Sequence, residues 1–389
     1  MNNKLVIELH VGKRYGASRL NCDENGKIKS ILINGKKHSR ISSQAKKAAW
    51  RSHFIESLDS SDKLYRTRAL VDIISNKLKE KDDDYYNKNA YELATFIANT
   101  LMDCKTTSKK DNMTAQLVLF SDYDIEDVLN VFCEEIKTEE DFVKYNKDKN
   151  YNVLVNKIKK AIPFRKYGIE CALFGRMTTS GVLIPVESAM SVNHSIALGR
   201  NETEMDYFTA IDNYLSGIVD DAGAAHINRK EFASSVYYEY ASIDVGQLYT
   251  NLCHGVDMTK EENKKRVKEV LINTVKEILF DIVFVAPTGA QNAFASSPNP
   301  VGVYSTIRDS GTNKTADSSI VKSINDYSIK SEEEKFISAM DDFTNGEFSD
   351  SVDYIDKFYI GENHERINAN HVNWSFMLNK IEEIINEKF

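Results

Sequence analysis

The chain has 389 residues, 42% apolar and 28% charged, a balance that excludes an intrinsically disordered protein. No run of roughly 18 uncharged apolar residues occurs. The opening Met1 to His10 also lacks the long apolar stretch of a secretion signal, so a cytoplasmic protein without a membrane partner is expected. The net charge of −8 argues, as a sum, against a nucleic-acid partner, but its distribution does not. Between Asn25 and Ile55 stand Lys27, Lys29, Lys36, Lys37, Arg40, Lys46, Lys47 and Arg51 with no acidic residue, so the rest of the chain carries −16. A second window, Lys149 to Ile169, holds Lys149, Lys157, Lys159, Lys160, Arg165 and Lys166, again without an acid. A charge run is commonly a solvated face, yet phosphate binding needs only a local positive surface.

In chain order, Leu5 to His10 is apolar and β-branched enough for a strand, and Lys27 to Asn34 is a second, ending at the Asn34-Gly35 turn signal. Ser42-Ser43 supply an N-cap for a helix over Gln44 to Leu58, which places Lys47 and Arg51 one turn apart on one face. From Asp59 to about Ile169 the character is helical, as in Leu70, Val71, Ile74 and Leu78, with only Leu117 to Phe120 strand-like; this reads as an inserted helical subdomain. After Cys171 the sequence turns small-residue rich and strand-like up to His194, and a polar, acidic stretch follows from Gly199 to Asp221. Phe232 to Tyr240 predicts an aromatic strand, and Thr259 with Glu262 a capping-box helix start. Val301 to Ile307 reads as a strand, Ser319 to Thr344 and Asn370 to Lys388 as helical. Strands and helices alternate without a repeated βα period, which predicts an α+β fold.

Enzyme signatures are missing. Gly26-Lys27 and Gly35-Lys36 lack the rest of a phosphate-binding loop, and neither G-x-S-x-G nor H-E-x-x-H occurs. The eight histidines never fall at metal-ligand spacing, and the five cysteines, all far apart, suggest reduced thiols rather than a disulfide framework or zinc site. No cofactor and no metal are expected.

Three segments carry a resemblance: Leu20-Asn21-Cys22-Asp23 with Arg40-Ile41-Ser42-Ser43-Gln44-Ala45-Lys46-Lys47 through Arg51; Ala172 to Gly181 continuing through Glu187 to Ile196; and Ala224-Ala225-His226-Ile227 with Glu231-Phe232 and Tyr237 to Ala241. Together and in this order they resemble the CasC-type backbone subunit of the type I-E CRISPR surveillance complex, Cascade. The resemblance implies an RRM-like (ferredoxin-like) palm in three parts, 1–58, 169–193 and 233–389. A helical fingers insertion would occupy 59–168 and a long thumb β-hairpin 194–232. It also implies a non-catalytic scaffold whose copies stack head to tail along a CRISPR guide RNA. Other Cascade subunits would be its partners, with target DNA taken up as an R-loop.

By the same resemblance Ser42, Gln44, Lys47, Arg51 and Arg40 would grip the RNA backbone, with Asn21 and Lys29 approaching from the strand side. A helix start favours phosphate through its open N–H groups and dipole. Gly175, Arg176 and Met177 would form the other contact, Arg176 as a planar fork for phosphate and Met177 as a wedge that unstacks a base. Read alone, Met177 would be core filler and Arg51 a partner for a buried carboxylate. Gln291 lies in a family-like loop, Pro287 to Asn292, where Ala290 replaces a frequent basic residue; Cys22 likewise stands where arginine is usual. The thumb is acidic (Glu202, Glu204, Asp206, Asp212, Asp220 and Asp221 against Arg200), which suits contact with the basic windows of an adjacent copy. The rival reading is a metal-dependent RNA endonuclease of the type III kind, using Asp23 in the loop after the first strand. A host RNA-binding protein stacking bases on Tyr237, Tyr238 and Tyr240 is the third reading.

Overall fold

A computed structural model describes residues 4–81, 83–102, 113–114, 117–146, 148–161, 166–178, 180, 182–200, 203–210, 226–309, 313–347, 349, 353–362 and 364–389. The chain is mixed α+β and divides into two units. The first comprises Met1–Phe54, Ser191–Ile243 and Val275–Phe389; the second comprises Ile55–Met190 and Asp244–Thr274. No helix among the described residues is long and apolar enough to cross a membrane.

The strands are β1 (Val6–Ser18), β2 (Ser30–Ile33), β3 (Lys36–Ile41), β4 (Tyr65–Thr67), β5 (Val118–Phe120) and β6 (Met190–Val192). They continue as β7 (Ser195–Ala197), β8 (Glu204–Ala210), β9 (His226–Asp244), β10 (Pro300–Arg308), β11 (Asp356–Gly361) and β12 (Asn370–His371). One large sheet runs β12-β11-β10-β1-β9-β7-β3-β2, with β6 and β8 also pairing β9. The Asn34-Gly35 signal does what its chemistry suggests: both residues take positive φ, 47° and 77°, and reverse β2 into β3.

In the first unit β1 is central, and Val6 to Lys13 is buried throughout, so polar Glu8, His10 and Lys13 lie inside. Alternation along the strand sends Glu8, His10 and Gly12 to one face and Lys13 and Tyr15 to the other. The first face is covered by α11 (Asp317–Asn325) and α12 (Glu332–Asn345) through Ile320, Phe336, Ile337 and Met340 on Tyr238, Tyr240, Tyr304 and Tyr359. Gly12 opposes Gly302 across the strands, and a Cβ at Gly12 would meet the Phe336 ring at 2.8 Å; the glycine is what admits the ring. On the second face are α1 (Ser43–Phe54) and residues 275–284 of α9 (Glu261–Phe284), tied by Trp50 Nε1 donating to the Val285 carbonyl at 3.1 Å. Short α10 (Gln291–Phe294) follows α9, and the C-terminal α13 (Trp374–Lys388) packs Trp374 edge-on to Phe284.

The second unit carries α2 (Leu70–Lys79), α3 (Asp84–Met102), α4 (Asp122–Glu135), α5 (Glu139–Tyr145), α6 (Asp148–Ala161), α7 (Ile169–Phe174), α8 (Val245–Cys253) and the N-terminal part of α9. Its core joins Leu70, Ile74, Leu93, Ile97, Ile125, Phe132, Leu154 and Ile158 beside the small β4–β5 ribbon. Leu70 and Ile74 are among the positions that the helical spacing of the sequence singled out, and α3, α4 and α6 extend the core.

Three local expectations change. The segment 172–194 is not strand-like throughout. It begins in α7, turns at Gly175 (φ 74°) and runs irregularly to β6, with one isolated bridge between Arg176 and Val186. Ser319 to Thr344 is two helices, because Asp326 closes a turn by accepting the Ser328 N–H and hydroxyl. Thr259 does not cap α9: its hydroxyl donates to Asp257, and the helix starts at Glu261.

Candidate nucleic-acid interface

The basic window of the sequence becomes the β2–β3 hairpin and α1, all in the first unit. Ser42 caps α1 by accepting the Ala45 N–H on Oγ at 3.2 Å, and its own N–H donates to Asn21 Oδ1 at 3.0 Å. Asn21 in turn accepts the Lys29 N–H on its carbonyl, and the Lys29 carbonyl accepts the Arg40 N–H. Asn21, Lys29, Arg40 and Ser42 are therefore locked together at the start of α1. The exposed Gln44 follows in the first turn, where helix N–H groups lack intrahelical partners.

His194 completes the cluster. The Ser43 N–H donates to His194 Nδ1 at 3.2 Å, and Arg40 Nη1 also stands 3.2 Å from that nitrogen. Both neighbours are donors, so Nδ1 accepts and the ring proton sits on Nε2. The His194 pKa lies below its ordinary value, first through partial burial, then through the charges of Arg40, Lys46 and Lys29. An imidazole that three cations discourage from protonating reports a positive local field, the condition a phosphate requires.

Beneath this surface Lys46 is fully buried. Its ammonium donates to Asn193 Oδ1 at 3.3 Å and lies 5.5 Å from the Trp50 ring centroid. Burial brings its pKa down to about 8, against the pull of Glu239 and with the push of Lys13. Glu239 is itself held by Lys13 at 3.5 Å and by the Tyr15 hydroxyl at 3.0 Å. Lys47 and Arg51 are half-buried on α1; Lys47 is held below the ordinary lysine value by burial and then by Arg51. Gln291 opens α10, where Ala290 and Ala295 both adopt left-handed backbone and Gln291 Nε2 donates to Ser297 Oγ. That loop lies against the end of β1: a Cβ at Gly289 would stand 2.3 Å from the Arg19 carbonyl oxygen, two residues before Asn21.

Gly175, Arg176 and Met177 lie in the second unit. A Cβ at Gly175 would stand 2.7 Å from both the Val186 oxygen and the Ser188 nitrogen, and φ is positive, so only glycine fits. Arg176 is 3% exposed; its Nη1 pairs with Asp124 Oδ2 and its Nε donates to the Ile184 carbonyl. The guanidinium is thus an internal strut, and the expected phosphate-facing fork is corrected by its burial. Met177 is the opposite case, 91% exposed beside that anchored arginine, and is not core filler.

Asp23 is exposed, and its Oδ1 accepts the N–H groups of Asn25 and Lys27, which makes it a turn-closing residue. Among the described residues the group able to hold a metal is His53, Glu277 and Asp281, without Asp23. Tyr237, Tyr238 and Tyr240 are all buried, because both faces of β9 are covered, so none is a base-stacking platform. In the acidic segment expected to form a thumb, Glu204 and Asp206 are exposed on β8, with Asp206 opposite Lys230; Glu202, Asp212, Asp220 and Asp221 lie outside the described residues. His194 and the buried Asn193–Lys46 pair were not picked as site residues from sequence; a histidine and an asparagine next to each other carry no charge signal.

A family model described as CT1975-like protein (Cas_CT1975) matches residues 7–354. The chain belongs to the CT1975-like protein family. Among solved structures, the CT1975-like chain resembles a chain of a "CRISPR RNA-guided surveillance complex, pre-nicking". The TM-score is 0.74 at 18% identity, covering 98% of this chain and 100% of that one. A chain of a "CRISPR RNA-guided surveillance complex" gives a TM-score of 0.67 at 15% identity, covering 97% and 99%. No curated protein matches in sequence. At these identities the likeness is one of fold, carried by nearly the whole length of both chains.

Proposed function

We propose that this CT1975-like chain is a non-catalytic, RNA-binding backbone subunit of a type I-E Cascade, stacking head to tail along a guide RNA that it presents for pairing with target DNA. The observation that carries the reading is the cationic helix start: a capped α1 with Lys29 and Arg40 beside it, and His194 Nδ1 within 3.2 Å of both the Ser43 N–H and Arg40 Nη1. Hydroxyl, amide and cation donors at that place hold phosphates without reading bases, which suits a scaffold whose sequence specificity resides in the guide. The family match and the likeness to chains of two surveillance complexes support the same assembly.

In this reading 1–58, 169–193 and 233–389 form an RRM-like palm, 59–168 the fingers and 194–232 the thumb. Ser42, Gln44, Lys47, Arg51, Arg40, Asn21, Lys29 and Gln291 serve the RNA backbone, and Met177 is the wedge. Arg176 and Gly175 hold Met177 out. The exposed acids Glu204 and Asp206 would meet the basic surface of the adjacent copy. The test is co-expression with a CRISPR array and the neighbouring genes, followed by sizing at low and high salt and sequencing of the bound RNA. A large particle with several copies per guide is expected. Lys47→Ala with Arg51→Ala should lower the slope of log affinity against log salt by about 0.7 for each phosphate no longer neutralised. A monomer without guide RNA, or metal-dependent RNA cleavage that ends with Asp23→Ala, overturns the proposal.

A further inference from the structure

The tip of the β2–β3 hairpin takes no part in the cluster around Ser42, yet it carries two of the eight cations of the basic window, Lys36 and Lys37. Lys36 reaches Tyr327, a ring in the turn between α11 and α12 that is 58% exposed. The Lys36 ammonium lies 4.2 Å from the ring centroid and hydrogen-bonds the phenol oxygen. From a third element, the segment after β7, the Arg200 guanidinium comes within 5.9 Å of the same centroid. All three residues belong to the first unit. Two cations thus converge on one exposed ring, and among the described residues neither makes an ion pair.

We propose that Tyr327, Lys36 and Arg200 form a second contact for a single-stranded polynucleotide, with a base stacked on the Tyr327 ring and the adjoining phosphate held by the two cations. The chemistry is that of sequence-tolerant strand binding: an aromatic face accepts any base, and flanking cations follow the backbone. Like charges drawn to one place repel, and an anion removes that repulsion. Ile31, 38% exposed, shares its strand face with Ile33, a member of the core cluster that includes Ile320 and Ile324 of α11; it therefore adds apolar surface to the hairpin face toward that core. The tyrosines of β9 are buried and offer no stacking ring, and Tyr327 supplies an exposed one outside the sheet. The site uses the opposite end of β3 from the Ser42 cluster and extends the RNA-binding reading to a strand that RNA or DNA could provide.

The test uses the full chain and the fluorescence anisotropy of labelled oligouridylate and oligothymidylate across a salt series. Tyr327→Ala should weaken binding about 5- to 150-fold, while Tyr327→Phe, which keeps the ring, stays near wild type. Lys36→Ala combined with Arg200→Ala should lower the salt slope by about 0.7, the share of the one phosphate they hold. Loss confined to oligouridylate makes the ligand RNA; loss confined to oligothymidylate makes it DNA. Unchanged tryptophan emission shows that the variants fold. Tyr327→Ala binding both strands as wild type does, while the Lys47 and Arg51 variant loses RNA, overturns this site and leaves the proposed function standing. A wild-type chain that binds neither oligonucleotide overturns both.

Discussion

Glu8 is a carboxylate in the middle of the central strand, 1% exposed, and Arg308 beside it is 0% exposed. Arg308 Nη2 is 2.7 Å from Glu8 Oε1 and Nε is 3.1 Å from Oε2. Three further donors reach the same carboxylate: the Tyr240 hydroxyl at 2.6 Å, the Thr306 hydroxyl at 3.0 Å and the Lys314 N–H at 2.7 Å. Glu8→Leu therefore leaves a buried guanidinium without its counter-charge and three donors without their acceptor. Breaking such a pair costs about 3–5 kcal/mol, most of it desolvation of the charge left behind. Arg308→Met should cost less, because the Glu8 carboxylate keeps its three other hydrogen-bond donors. Trp50 and Trp374 are the two tryptophans of the chain and both lie in the first unit, so tryptophan emission during urea unfolding follows this unit. With a urea slope of about 2 kcal/mol per M, Glu8→Leu should lower the midpoint by roughly 1.5–2.5 M. A shift below about 0.5 M, or a larger loss for Arg308→Met, would refute the reasoning.

Three other outcomes are expected. Burial holds His10 at about 4 against an ordinary 6.5, so between those values the unfolded chain binds a proton that the folded one refuses, and stability falls as pH drops through that window. The loss approaches about 3 kcal/mol by pH 4, and His10→Phe should flatten it in urea midpoints taken at pH 7 and pH 5; an unchanged pH slope would rule His10 out as its source. Gly175→Ala should destabilise the second unit by about 2 kcal/mol or more, since the new Cβ meets backbone atoms at 2.7 Å; limited proteolysis should show earlier cleavage. Met177→Ala should leave thermal stability within about 0.5 kcal/mol because the side chain is 91% exposed, yet alter the periodic reactivity of bound guide RNA to chemical probing. Identical reactivity would remove Met177 from the RNA interface.

Periodicity made the α+β class, the helical run after residue 58 and the Asn34-Gly35 reversal legible, because each rests on local chemistry. The Thr259 start failed for a local reason too: Asp257, two residues earlier, takes the hydroxyl first. The burial of β1 and β9 on both faces was not legible. A strand covered on two sides loses the alternation that marks a core, and Glu8, His10 and Lys13 then look like solvent residues. The same covering removed Tyr237, Tyr238 and Tyr240 from any surface role.

Charge counting met a related limit at the site. The Asn25–Ile55 window presents eight cations as equals, yet Lys46 is wholly buried and Lys36 is engaged with Tyr327, while Lys29 and Arg40 reach His194 as a field. Arg176, expected at the surface from resemblance, turns inward to Asp124, whose Oδ2 also accepts the N–H and hydroxyl of Ser121 in the capping box of α4. One carboxylate thus fastens both the start of a helix and the arginine next to the exposed Met177. If Met177 works as a wedge, its rigidity comes from that carboxylate rather than from any contact of its own. Asp124→Asn should then blur the RNA reactivity pattern that Met177→Ala alters, and an Asp124→Asn variant with full wild-type periodicity would separate the strut from the wedge.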